Sequence, residues 1–291
     1  VALNLDLVGK EWDGEGRRWT SADAILYALG VGAGSEDPLA ELSFTTENSH
    51  DVTQQVLPTF AVMIGGAGSM PALGDFDISQ VLHAEQSITL HGVLPVEGAT
   101  VTRSRVAGFY DKGRHAIAAT ESTITDKDSG EVLAEVSSGI FIRGEGGFGG
   151  DRGASVTWQR PQTEPDHVVT YRTRPDQALL YRLSGDRNPL HSDPWLAGKA
   201  GFDRPILHGL CTFGFTGRAL LHTVCGSDPA SFGSMSARFA SPVLPGEELS
   251  VAIWDEGETC RFQTTVAGRV VLDHGTFTKK AGSPGAAGRR P

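Results

Sequence analysis

The pattern of apolar and polar positions repeats itself in the two halves of the chain. In the first half, EQSITLHG (85–92), ATVTRSRVAGFYD (99–111), AIAATESTITD (116–126) and EVLAEVSSGIFIR (131–143) are β-rich runs broken by turn residues. The second half has MSARFASPV (235–243), LSVAIWDEG (249–257), CRFQTTVAG (260–268) and RVVLDHGTFTK (269–279). An apolar stretch precedes each set. Residues 207–225, LHGLCTFGFTGRALLHTVC, place Leu207, Leu210, Cys211, Gly214, Leu221 and Val224 near a helical spacing, with Gly226 as the stop. Small residues there predict a helix lying close against a sheet. The first-half counterpart runs from Leu57 to Gly68 and is interrupted by glycine. A helix followed by antiparallel strands, twice over, predicts an α+β fold whose unit is a helix wrapped by a sheet.

Short echoes support a duplication. VLPTF at Val56 pairs with ILHGL at Ile206, and VLPVEGATV at Val93 with VLPGEELSV at Val243; both pairs are 150 positions apart. YALGVG at Tyr27 and YRLSGD at Tyr181 form a looser echo, offset by 154. Between the halves lies RGEGGFGGDRGAS (143–155), then a polar, proline-containing segment to Asp166. Glycine and proline at this density sustain neither helix nor central strand, which predicts a linker. The expected division is 1–142, a linker 143–166, 167–279, and a disordered Gly/Pro/Ala-rich tail 280–291.

Composition narrows the function classes. An apolar share of 39% with 21% charged residues belongs to an ordinary globular chain. No apolar run approaches the roughly 20 residues of a membrane-spanning helix, and Val1–Lys10 has neither the basic head nor the apolar core of a secretory signal. The net charge is -10, and four positive charges sit in the last 13 residues, so the remainder is near -14. Such a body argues against nucleic acid as a partner. Cys211, Cys225 and Cys260 form no C-x-x-C pair and are odd in number, which predicts reduced thiols in the cytoplasm. His50, His91, His115, His167, His222 and His274 show no zinc-ligand spacing, and no metal is expected. RGEGGFGG lacks the lysine of a phosphate loop and the strand–turn–helix setting of a dinucleotide fold.

The chemistry concentrates in Tyr-Arg-Leu-Ser-Gly-Asp-Arg-Asn-Pro-Leu-His, residues 181–191. Gly185, Asn188 and Pro189 predict an irregular loop. Within it Asp186 and His191 can aim at a common point, and a carboxylate with an imidazole on one water suits acid–base work. Spacing alone equally allows Asp186 to cap a turn and His191 to be merely exposed.

This string resembles the signature of the MaoC-like, or hydratase 2, family of (R)-specific 2-enoyl-CoA hydratases. The resemblance extends through YALGVGA at Tyr27, LPTF at Leu57, HAEQ at His83, RGEGGFGG at Arg143, HG at His208 and RFASPVLPGE at Arg238. It implies a double hot-dog fold, two helix-wrapped antiparallel sheets fused as a pseudo-dimer, and hydration of (2E)-enoyl-CoA to (3R)-3-hydroxyacyl-CoA without a cofactor. By position, Asp186 and His191 would hold the water, and Asn188 would position a catalytic group or the water. Gly209 would offer its N–H to the thioester oxygen, where negative charge develops. His83 and Ala84 (glycine in most relatives), Lys112, Arg187 and Phe239 would contact the acyl-CoA substrate. Arg103, Arg105 and Arg114 either add a basic cluster for coenzyme A or form a solvated strand face. Where the second half has SGDRNPLH, the first half has LGVGAGSEDPL after Tyr27, a segment with no histidine, which implies one site per chain. Its GVGAG and MIGGAGSM segments, rich in small residues, either make room for an acyl tail or serve close packing. Other expectations compatible with the fold are a dehydratase acting on acyl carrier protein, a thioesterase, and a non-catalytic acyl-CoA binding protein. The set Asp186, Asn188, His191 and Gly209 argues against the last. A homodimer through exposed sheet edges is a further expectation.

Overall fold

The computed structural model describes residues 2–14, 16–65, 72–153 and 157–280. The first half opens with β1 (Glu11–Gly14), β2 (Arg18–Trp19) and α1 (Ser21–Gly30). Helix α1 starts from a capping box: the Asp23 N–H reaches the Thr20 hydroxyl, and the Thr20 N–H donates to the Asp23 carboxylate. Two one-turn helices follow, α2 (Leu42–Thr45) and α3 (Ala61–Ile64), then β3 (Val81–Leu90), β4 (Gly98–Asp111), β5 (Ala116–Asp126) and β6 (Val132–Ile142). The second half contains β7 (His167–Arg172), α4 (Gln177–Tyr181), α5 (Pro194–Lys199), α6 (Gly209–Val224), β8 (Phe232–Phe239), β9 (Glu248–Asp255), β10 (Thr259–Val266) and β11 (Arg269–Lys279).

Among the described residues, eleven strands form one antiparallel sheet in the order β1-β4-β5-β6-β3-β8-β11-β10-β9-β7, with β2 also on β4. The seam between the halves is the β3–β8 pair, where Gln86 faces Ala237 and Ser87 faces Ser236. Exchanging each residue for the one 150 positions away maps the first of these pairs onto the second. The repeat spacing in the sequence is therefore also the symmetry of the seam. This is the expected double hot-dog.

The central helices differ from expectation in two ways. Helix α6 has 16 residues and α3 only four. In the first half the helical run from Leu57 is a 3-10 turn (Pro58–Phe60) plus α3, ending at Gly65; residues 66–70, within the MIGGAGSM segment, lie outside the described residues. The small residues of α6 also face helices of the first half rather than only a sheet. A Cβ on Gly214 would stand 2.5 Å from Val31 Cγ1 and 2.9 Å from the Tyr27 hydroxyl. Helix α6 is buried nearly all round, from Cys211 to Leu221, because it packs on both halves.

The linker crosses the second-half strands. Trp158 donates its indole N–H to the Gly275 carbonyl at 3.0 Å and stacks on His274, and Trp254 donates to the Thr163 carbonyl at 2.9 Å. Residues 154–156 of the linker and 281–291 of the tail lie outside the described residues; Lys280 donates its N–H to Ser231 O at 2.9 Å. Among the described residues no helix is long and apolar enough to cross a membrane.

Candidate active site

Helix α4 ends in a 3-10 turn, Arg182–Ser184, and the chain reverses at Gly185, whose φ of 136° is disfavoured for any residue with a Cβ. Asp186 follows the reversal. Its Oδ1 accepts the Asn188 N–H at 3.2 Å, and Asn188 Oδ1 accepts the Leu190 N–H at 3.0 Å. Asn188 thereby caps the 3-10 turn Pro189–His191, with Pro189 at its first position. The turn swings His191 inward until it is 8% exposed.

His191 Nδ1 lies 2.9 Å from the Ile206 carbonyl oxygen. A carbonyl only accepts, so Nδ1 carries the proton and Nε2 presents a lone pair. The His191 ring stacks on the His208 ring at 3.8 Å between centroids and 29° between planes. His208 is fully buried and donates its Nε2–H to the Asp186 main-chain oxygen at 3.2 Å. One polar side-chain atom each from Asp186, His191 and His208 lies within 4.8 Å of the others. Two acceptors bridged by one water through bonds of about 2.8 Å stand roughly 4.6 Å apart, so the carboxylate and imidazole are spaced for a shared water.

Burial pushes His191 below the ordinary imidazole value of 6.5, against the Ile206 hydrogen bond and the Asp186 charge. Burial and then the neighbouring His191 push His208 down to about 2. His83, also buried, is lowered to about 4. All three are therefore neutral at pH 7.

Asp186, Asn188, His191, Gly209, His83 and Phe239 line one cavity of about 310 Å³, walled by apolar side chains including Leu82 and Ile206. A second, more open cavity of about 810 Å³ meets it at Asp186, Asn188 and Leu210, and is lined on its far side by Arg17, Val62, Met63 and Arg187. Ala84 sits in a β-bulge between the His83–Ile140 and Glu85–Gly139 pairs, which turns His83 toward the first cavity. There the His83 ring lies 4.7 Å from that of Phe239. Lys112 lines neither cavity; it is exposed, with its ammonium on the Arg152 carbonyl and 5.9 Å from the Tyr110 ring centroid. Arg103 and Arg105 pair with Asp13 and Glu121 on an exposed strand face, away from both cavities.

Gly209 is the first residue of α6, where backbone N–H groups have no intrahelical acceptor and the helix dipole is positive. Among the described residues its N–H has no partner. Phe239 packs closely on Gly209: an added Cβ would stand 3.0 Å from the ring, which would have to give by a few tenths of an ångström.

Comparison with known proteins follows the same division. Residues 18–144 match the MFE-2 hydratase 2 N-terminal domain, and residues 156–276 match the MaoC like domain. The 3-hydroxyacyl-thioester dehydratase Y of Mycobacterium tuberculosis is 48% identical over 276 residues, which span 91% of this chain and 94% of that protein. This chain belongs to the MaoC-like hydratase 2 family. The peroxisomal enoyl-CoA hydratase 2 of Arabidopsis thaliana is 40% identical over 270 residues, 86% of either chain. A solved MaoC-like dehydratase from Phytophthora capsici superposes with a TM-score of 0.85 at 33% identity, covering 96% of this chain and 98% of that one.

Sequence reading missed several groups that shape this hydratase 2 site. His208 was visible only as part of an HG string, with nothing to show that its ring would lie on His191. Arg17 has no local motif, yet its guanidinium reaches the Ser184 carbonyl.

Proposed function

We propose that the chain catalyses reversible hydration of a (2E)-enoyl-CoA to a (3R)-3-hydroxyacyl-CoA, using no metal or redox cofactor. The observation that supports it most is the approach of the Asp186 carboxylate and the His191 imidazole, one polar atom of each lying within 4.8 Å of the other, with Gly209 on the same cavity wall. One of the pair takes a proton from water as its oxygen bonds to Cβ. The electron pair of the double bond moves toward the thioester oxygen, where the Gly209 N–H meets the developing charge. A proton returned at Cα restores the thioester, and the reverse sequence is dehydration. The (3R) outcome follows the family.

The thioester lies at the junction of the cavities in this reading. The coenzyme A arm occupies the side of His83 and Phe239, beside the bulge at Ala84; Lys112, which lines neither cavity, and Arg187, which lines the second, are not among its contacts. The acyl tail occupies the second cavity, beside Val62 and Met63 of α3, where the first half has a helix of only four residues. Buried free thiols at Cys211, Cys225 and Cys260 suit a cytoplasmic enzyme. Strands β1 and β7 end the sheet and offer edges for a homodimer.

The test is loss of enone absorbance with crotonyl- and decenoyl-CoA, followed by chiral analysis of the product. A (3R) product supports the reading; thiol release without hydration would replace it with a thioesterase. The pH profile carries a second expectation. His191 must be neutral to accept a proton, and burial lowers its pKa. Activity is therefore retained as pH falls to 6.5 and lost only below it; an acid limb centred above 6.5 would contradict this role.

A further inference from the structure

We propose that Arg17, supplied by the half without the catalytic string, is a positioning residue for the catalytic turn of the other half. Its backbone is pinned to β4: the Arg17 N–H donates to Thr100 Oγ1 at 3.1 Å, and the Thr100 N–H donates to the Arg17 carbonyl at 3.0 Å. The side chain, 21% exposed, crosses to the second half. There Nη1 donates to the Ser184 carbonyl, and to the Met63 carbonyl at 3.3 Å. Nη2 faces Asp23 at 3.7 Å, and the guanidinium lies 5.8 Å from the Phe60 ring centroid. The cation thus has a fixed seat in the first half and a charge-assisted hold on the second.

The residue it holds stands two before Asp186, across the strained reversal at Gly185. A Cβ on Gly185 would lie 2.9 Å from Arg17 Nη1 and 3.0 Å from Met63 Cε, so the turn is packed directly on the arginine. On the far side His208 holds the Asp186 carbonyl. The segment Ser184–Asp186 is clamped between these donors, and the direction of the Asp186 carboxylate follows from the clamp.

An arginine also crosses to the related turn of the first half, one position further along, while the Gly30 carbonyl, the counterpart of Ser184's, accepts from Gln177 Nε2 at 2.6 Å. Val31 corresponds to Gly185 at the offset of 154, and Arg218 from α6 donates Nη1 to the Val31 carbonyl at 2.8 Å. Each half therefore supplies an arginine to the turn after the other half's tyrosine-bearing helix. In the first half the turn carries no catalytic groups; in the second it carries both. This reciprocity gives the first half a role in the geometry of catalysis.

The kinetic part of the test rests on the hydration reading. A displacement of about 1 Å at reacting groups costs on the order of 100-fold in rate. Arg17→Ala is expected to lower kcat about 10-fold to 100-fold, with KM for crotonyl-CoA nearly unchanged. The loss should be equal for crotonyl- and decenoyl-CoA, and millimolar guanidinium should restore kcat at least several-fold. Should the alanine variant not fold, Arg17→Gln, which keeps the stem, carries the same expectation. A kcat within two-fold of the parent, a loss confined to the longer chain, or no rescue by guanidinium overturns the proposal. Amide hydrogen exchange separates it from the reaction itself. Residues 184–191 should exchange faster in the variant than in the parent whether or not the parent hydrates enoyl-CoA, and unchanged exchange also overturns it.

Discussion

Asp186→Asn is expected to lower kcat for crotonyl-CoA hydration by about 10³-fold or more while leaving KM and the melting temperature close to the parent's. The size follows from general acid–base catalysis, which contributes roughly 10²–10⁴-fold. The fold should tolerate the change, because Asp186 is only half-buried and an asparagine oxygen can still accept the Asn188 N–H. On the proposed mechanism, what is lost is the carboxylate that would share the water with His191. His191→Ala should lose activity to a similar degree, with an added stability cost, because it removes the bond to Ile206 O and the stack on His208. If the two act on one water, the double variant should be no slower than the worse single variant, since removal of either disables the same step. Near-normal turnover by either single variant would remove the mechanism, and additive losses would mean that the two groups work on separate steps.

The site and the fold were legible in the sequence to different degrees for physical reasons. Asp186, Asn188 and His191 lie in one short segment, so their meeting needs only a tight turn, and turn residues advertise themselves. The strands at 116–126 and 269–279 were readable to the residue, being bounded by turn residues on both sides. The edge strand His167–Arg172 went unread because its residues are mostly exposed and it adjoins a polar linker. Helix α1 was also unread, although Thr20 and Asp23 spell a capping box. The small residues in α6 mark a close approach, but periodicity shows only that a face is buried and not against what, so the contact of Gly214 with Val31 and Tyr27 leaves no local sign. The Arg17–Ser184 contact joins residues 167 apart and Glu41–Arg218 joins residues 177 apart; neither leaves a mark in local spacing.

The Glu41–Arg218 pair should dominate the stability of the junction between the halves. Arg218, on α6, is 4% exposed at its side chain and Glu41, beside α2, is 10%. The carboxylate takes Nη2 at 2.6 Å, Nε at 3.1 Å, His222 Nε2 at 2.7 Å and the Gly34 N–H at 3.0 Å. The guanidinium lies 4.5 Å from the Tyr171 ring centroid. Burial alone would raise the Glu41 carboxyl pKa; hydrogen bonds from His222 and Arg218, with the Arg218 charge, outweigh it and hold the value at about 2. Glu41→Gln keeps the shape but strands a buried cation, which costs about 3–5 kcal/mol when one partner of a buried pair is removed. Urea melts at pH 7 should show a loss of that size, and adding Arg218→Met should recover part of it, because the uncompensated charge is then gone. The folded-state pKa is depressed, so the Glu41 contribution is complete above the unfolded value of about 4.3 and is lost as pH falls toward 2. The parent should therefore lose stability between pH 4.5 and 2 more steeply than Glu41→Gln. A loss below about 1 kcal/mol at pH 7, the range of an exposed pair, would show that this pair does not dominate the junction, leaving it to the β3–β8 strand pairing and apolar packing.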